Sequence, residues 1–460
     1  MENRAPAENK MGVMPIPKLI LNMSLPMILS MLVQALYNVV DSYFVARFEQ
    51  DALTAVSLAF PAQNLMIGFA TGTAVGVNAL LSRALGERKP EEANRIAENG
   101  VFLAFVGYAV FLLFGLFGVR AFFSAQTDVT KIVNYGVDYL TVICCYSFGV
   151  FGQIMFERLM QSTGRTIYTM FTQGIGAIIN IILDPIFIFS LNQGAKGAAI
   201  ATVIGQIFAF GLAVVLNRLK NDDVKLNLFK FRPSLKIIGR IYAIGVPSIL
   251  MMAIGSVMTF GMNLILITYT AAKELSATVF GVYFKLNSFV FMPVFGLNNG
   301  IIPIVAYNYG ARNRRRMMEA VKMAIIFAAG YILLGLLAFT LIPGPLLKIF
   351  NASEEMLRVG IPAIRIIGST FLFAGVCIAM GSVFQALGYG TYSMIVSFAR
   401  QLVVLLPSAY LLSRLGLNTG TDWLVWLSFP IAEIASLITT LILFRRLYKN
   451  VIEPIPEGAH

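Results

Sequence analysis

Charge is scarce in this sequence. Lys, Arg, Asp and Glu make up 13% of its 460 residues, about half the share of a typical soluble chain, while 58% are apolar and the mean hydropathy is +0.77. That balance excludes a soluble globular domain and leaves a polytopic membrane protein. Histidine is nearly absent: His460 is the only one, which excludes histidine-based metal centres and histidine general-base catalysis in the body of the chain. Cys144, Cys145 and Cys377 all fall in apolar runs. Neither a zinc spacing nor a disulfide framework can be built from them, so they read as small apolar filler. With two Trp against 36 Phe and 17 Tyr, interfacial anchoring falls to tyrosine.

Long apolar runs are abundant instead. Spanning-length stretches occur near residues 19–46, 54–80, 96–119, 134–156, 166–190, 198–217, 237–268, 277–306, 319–342, 358–383, 392–413 and 424–444, each long enough for a ~30 Å hydrocarbon core. The expected fold is all-α, with twelve transmembrane helices. The polar stretch 1–18 lacks a signal-peptide pattern and reads as a tail. Under twelve spans, roughly two dozen of the 35 basic residues fall in the tails and even-numbered loops, which predicts cytoplasmic termini in a plasma membrane. The same asymmetry accounts for the net charge of +12 without a nucleic-acid partner, since no soluble domain exists to present it.

The chain repeats internally. At a shift of about 224 residues, Gly72, Gly76, Gly86 and Arg88 meet Gly296, Gly300, Gly310 and Arg312, and Gln161, Gly164 and Tyr168 meet Gln385, Gly388 and Tyr392. The expected domains are a tail at 1–18, a first lobe at 19–217, a linker at 218–236, a second lobe at 237–446 and a tail at 447–460. Six spans per copy is even, so the repeat is parallel: two pseudo-symmetric six-helix bundles flanking a central cleft. Repeated glycines of this kind read as helix-packing positions.

Polar residues interrupt the apolar runs in stripes. Gln34, Asn38 and Asp41 stand at i, i+4 and i+7 on the first helix, with Tyr37 one turn before Asp41. Tyr139, Tyr146, Gln153 and Glu157 mark the fourth helix, and Gln173, Asn180 and Asp184 the fifth. An intramembrane carboxylate costs a few kcal/mol and is a functional hypothesis by default. These three carboxylates belong to one copy, because Asp41, Glu157 and Asp184 correspond to Met262, Gly381 and Ser408 in the other. Counting from an inside N-terminus, Asp41, Asp184, Tyr139 and Thr202 reach a similar depth, an oxygen-rich cluster suited to a hard cation or a shared proton. Glu157, ~27 Å along a straight helix from Tyr139, is expected nearer the cytoplasm. It stands either in a cavity wall or in a local pair with Arg158. Lys285, Arg400 and Glu433 place mixed charge inside the second lobe, as a neutralising contact or a cavity lining.

The run Leu25, Pro26 and Asp41, the stretch 87–93, Gln161 to Arg165, Asp184 with Pro185, and the small-residue run Gly194 to Thr202 together resemble the multidrug and toxic compound extrusion (MATE) family, within it the MepA-like bacterial group. The resemblance implies a secondary transporter, not an enzyme, that exports amphiphilic and often cationic drugs in exchange for Na+ or H+, with no other cofactor and as a monomer in the bilayer. It assigns cation coupling, as an Na+ site or a proton site, to Asp41, Asn180, Asp184 and Thr202 with Tyr139 beside them. Gln34, Tyr37 and Glu157 match drug-contact positions; Asn38, Gln153 and Gln173, on the same stripes, complete the expected substrate set. A lipid-linked precursor flippase using Lys285, Arg365 and Arg400 to hold a phosphate is the alternative within the superfamily.

Overall fold

The computed structural model describes residues 9–227, 231–350 and 352–457; the first eight residues of the expected tail and His460 lie outside them. Among the described residues there is no strand. A short α1 (Lys10–Val13) leads into α2 (Ile16–Phe48), α3 (Gln50–Gly86), α4 (Pro90–Leu113), α5 (Val119–Ser124), α6 (Thr130–Cys145), α7 (Phe148–Ser162), α8 (Thr166–Pro185) and α9 (Gly194–Lys220). After the linker come α10 (Leu235–Tyr269), α11 (Lys273–Gly310), α12 (Arg314–Leu341), α13 (Pro343–Lys348), α14 (Glu354–Gly368), α15 (Phe371–Ala386), α16 (Gly390–Phe398), α17 (Leu406–Thr419) and α18 (Ser428–Leu447). Among the described residues ten helices are long and apolar enough to cross a membrane, and two bent pairs, each taken as one span, complete twelve. Large apolar side chains such as Phe105, Phe260, Leu334 and Ile442 are more than 60% exposed, as a surface facing lipid requires.

The two bent pairs correct the reading of the fourth and tenth spans as continuous rods. α6 and α7 meet at 44°, α14 and α15 at 48°, at equivalent points of the repeat. The breaks have a local cause. The Ser147 hydroxyl donates to the Cys144 carbonyl at 2.8 Å, and Thr370 donates to Ile367 at 2.8 Å, satisfying backbone acceptors that a straight helix would use. The bend invalidates the straight-helix separation of Tyr139 and Glu157. It also leaves Tyr146 half exposed and out of the stripe. Each bent span ends in the same turn, with Gly164 at φ 85° and Gly388 at φ 89°, where a side chain would be strained.

The lobes meet crosswise, α3 packing along α10 and α2 along α11. Small residues let the backbones touch. A Cβ on Gly76 would strike the Ile241 carbonyl, one on Gly86 the Tyr307 carbonyl, and one on Gly310 the Arg83 carbonyl. These contacts lie toward the end of the bundle where α2 begins and α3 ends, here called the linker end. There Arg240 pairs with Glu92 across the seam at 2.7 Å, and the Arg83 guanidinium lies 4.7 Å from the Tyr309 ring centre. α1 straddles the same end. Asn9 donates to the Thr163 carbonyl at 3.1 Å, while Asn308 donates to the Met11 carbonyl at 3.1 Å and Arg316 to the Met14 carbonyl at 2.7 Å.

Candidate functional site

Helices α2, α7, α8 and α9 enclose a recess within the first lobe, with Ile67 of α3 closing one side. Gln34 and Tyr37 project from α2, Gln153 and Glu157 from α7, Gln173 and Asn180 from α8, and Thr202 and Gln206 from α9. The stripes therefore converge. Of the expected drug-contact residues, Asn38 alone does not line the recess; it is exposed on α2. The interior space is about 80 Å³, enough for waters or one substituent and well short of the ~300–1,000 Å³ of drug pockets.

Glu157 is 2% exposed and fully occupied by neutral donors. Thr172 and Gln153 donate to Oε1 at 2.7 and 3.0 Å, and Gln173 donates to Oε2 at 2.8 Å. The local ion pair with Arg158 is not formed. Arg158 Nη1 instead donates to Gln161 and, across the seam, to Asn299 of α11, both at 2.9 Å. Among the described residues Glu157 has no ion-pair partner and its hydrogen bonds come from neutral donors, a setting that favours a cation.

Beyond the recess lies the carboxylate pair. Asn180, one turn before Asp184, donates from Nδ2 to Asp184 Oδ1 at 3.1 Å and to the Thr202 hydroxyl at 3.3 Å. Its own Oδ1, Asp184 Oδ2 and Asp41 Oδ1 are buried without any hydrogen-bond partner. Asp41 and Asp184 lie close enough for their charges to interact, and Tyr37 and Tyr139 sit in the field of both. The Tyr139 hydroxyl accepts from Gln63 at 3.0 Å. Buried oxygens left without donors are costly, and this set fits either a hard cation, which takes oxygen ligands, or a proton shared between carboxyls. The four residues expected to hold Na+ thus supply suitable atoms.

Sequence reasoning missed Thr172, Gln206, Gln63 and the Arg158 contact to Asn299. Gln206 was reachable, one helical turn from Thr202 on the same face of α9. Gln63 and Asn299 carry no stripe of their own and are defined by partners distant in sequence.

In the second lobe Arg400 pairs with Glu433 at 3.1 Å. Lys285 takes no part in that pair; its ammonium stands 5.9 Å from the Phe350 ring centre. Arg365 donates to the Thr340 carbonyl at the end of α14. The three basic residues engage different partners rather than one phosphate-sized site.

The MatE family profile matches residues 26–186 and 247–411, one segment in each lobe. The chain is 25% identical over 407 residues to the multidrug export protein MepA of Staphylococcus haemolyticus, covering 88% of this chain and 89% of that protein. It is 24% identical over 449 residues to MepA of Staphylococcus aureus MSSA476, covering 96% and 97%. The structure of a MOP superfamily transporter from Pyrococcus furiosus superposes with a TM-score of 0.90 at 25% identity, covering 97% of this chain and 99% of that one.

Proposed function

This chain belongs to the MatE family of multidrug efflux transporters and is not an enzyme; from that premise we propose that it exports cationic amphiphilic drugs in exchange for Na+ or H+. One observation carries the reading: the unpartnered oxygens of Asp41, Asn180 and Asp184 stand beside a recess whose far wall holds the ion-pair-free carboxylate of Glu157. Cation and drug then draw on neighbouring negative charge in one lobe.

The domains we assign are 19–217 and 237–446, joined by 218–236 and flanked by cytoplasmic tails in the plasma membrane. The basic linker end faces the cytoplasm, so the state with that seam closed presents the cleft outward. A cation settling between Asp41 and Asp184 neutralises their repulsion and draws α2 toward α8. That narrows the recess and expels the drug's charged substituent. Coupling requires the two ligands to favour opposite-facing states, by about 1.4 kcal/mol for each tenfold difference in affinity. Gln34, Tyr37, Gln153 and Gln173 orient the substituent, and Asn180 and Thr202 position Asp184. One chain holds both lobes and the whole cleft, and it acts as a monomer. The scattering of Lys285, Arg365 and Arg400 argues against phosphate recognition by the second lobe and so against a flippase.

Expression in an efflux-deficient bacterial strain tests the reading. Accumulation of a fluorescent lipophilic cation should fall, and that of an anionic dye of similar size should not. Equal exclusion of both, or of neither, would overturn the cation preference.

A further inference from the structure

On α2 and α8 a step of four residues leads from the recess to the carboxylates. Tyr37 lines the recess and Asp41 lies one turn beyond it; Asn180 lines it and Asp184 lies one turn beyond. α3 runs the opposite way, from Gln50 to Gly86 at the linker end. Its recess residue is Ile67, and the same step away from the linker end reaches Gln63, level with the carboxylate pair and ~6 Å along the helix from Ile67. There Gln63 Nε2 donates to the Tyr139 hydroxyl at 3.0 Å.

The direction of that bond has a consequence for the carboxylates. A phenol oxygen accepts while its O–H donates. With the oxygen held by Gln63, the O–H is left over, and among the described residues it has no acceptor. Tyr139 is buried, the charges of Asp41 and Asp184 reach it, and Asp41 Oδ1 and Asp184 Oδ2 lack a donor. The other side of α3 belongs to the seam. At about 100° per residue, Gly68, Gly72 and Gly76 fall away from Gln63 and face α10, where their Cβ atoms would meet Met252, the Gly245 carbonyl with Ile249, and the Ile241 carbonyl. α3 therefore touches the level of the carboxylates with one face and the second lobe with the other.

We propose that Gln63 is a positioning residue for cation coupling, acting through Tyr139. While the carboxylates are empty, its amide N–H holds the Tyr139 oxygen and leaves the phenol proton to Asp41 and Asp184. A cation entering between them takes over those oxygens and displaces the phenol proton. A carboxamide carries an acceptor as well as donors, so Gln63 can turn and receive it, keeping Tyr139 partnered in both states. Without the amide the displaced O–H is stranded in a buried site, and occupancy by the cation is penalised. The exchange takes place on α3, the helix that packs against the second lobe. This role rests on the coupling proposed for Asp41 and Asp184.

The test is a double-mutant cycle of Gln63→Met, which keeps the side-chain length and loses the amide, with Tyr139→Phe. Gln63→Leu repeats the measurement, so the result does not hang on the folding of one variant. Uptake of a fluorescent lipophilic cation into proteoliposomes is followed against the concentration of the driving cation and, separately, of the drug, with Asp41→Asn alongside. Gln63→Met should raise the half-saturating concentration of the driving cation roughly fivefold, as the loss of one hydrogen bond implies. The KM for the drug and the unfolding midpoint should be unchanged, and in the Tyr139→Phe background the same substitution should add nothing further. An unchanged cation dependence, a parallel rise in the drug KM, or a full effect persisting in Tyr139→Phe would overturn the role of Gln63 while Asp41→Asn, still inactive, upholds the coupling. Gradient-driven uptake surviving in Asp41→Asn would instead overturn the coupling, and the role of Gln63 with it.

Discussion

Glu157 and Arg158 are neighbours in sequence and reach different partners from α7. Glu157 turns its carboxylate to Thr172 and Gln173 in the recess, and Arg158 turns its guanidinium to Asn299 in the other lobe. A charge entering the recess and the separation of the lobes are therefore one residue apart on a single helix.

Glu157→Gln should fold normally. Its new amide meets the Gln173 amide, but Gln173 Oε1 is otherwise unpartnered and a flip of that side chain restores the hydrogen bond. The expected outcome is an unchanged unfolding midpoint with a roughly tenfold rise in KM for a cationic drug, the loss of one close charge interaction. Transport assays with cationic and neutral substrates check it; equal loss for both would remove Glu157 from charge recognition.

Arg158→Ala leaves Gln161 and Asn299 without their donor. A cost of about 1–3 kcal/mol per stranded polar group is expected, falling on the state closed at the linker end. Spin labels on α3 and α10 should report a broader distance distribution in the variant. An unchanged distribution would separate Arg158 from lobe closure.

Gly86→Ala tests the seam from the backbone side. The added methyl meets the Tyr307 carbonyl, which cannot swing aside as a flexible side chain does. Destabilisation of about 1–3 kcal/mol, as for overpacking, and a wider linker end are expected in the same distance measurement.

Twelve spans, the repeat and the converging stripes were legible because each rests on periodicity, which a helix preserves. Gln34, Tyr37, Gln153 and Gln173 reached the recess on that ground. The bends at Ser147 and Thr370 were not legible, since a serine or threonine inside an apolar run is ordinarily a harmless back-bonded hydroxyl. Asn38 was placed by spacing on a stripe wider than the recess. Asn299 became a partner of Arg158 only through packing between lobes, a relation over 141 residues that no local pattern encodes.

The corner between α2 and α3 carries a pH dependence of defined sign. Hydrogen bonds from Lys131 and then Tyr135 hold the Glu49 carboxyl below its ordinary value. A depressed folded value means the tether is complete above the unfolded carboxylate range of about 4 and is lost only as pH falls through the lower folded value. Hydrogen-exchange protection at residues 46–52, taken relative to the intrinsic rate at each pH, should thus stay constant from neutral pH down to about pH 5, whereas Glu49→Gln should lower it throughout. Loss of that protection in the wild type already at mildly acidic pH would contradict the tether.

The central claim is that Asp41 and Asp184 couple a cation to drug export. Its most direct test is uptake of a fluorescent lipophilic cation into proteoliposomes, driven separately by a Na+ gradient and by a pH gradient, for wild type, Asp41→Asn and Asp184→Asn. Transport under at least one gradient, abolished in both variants while their unfolding midpoints persist, is the predicted result. Full gradient-driven transport in Asp41→Asn would contradict it.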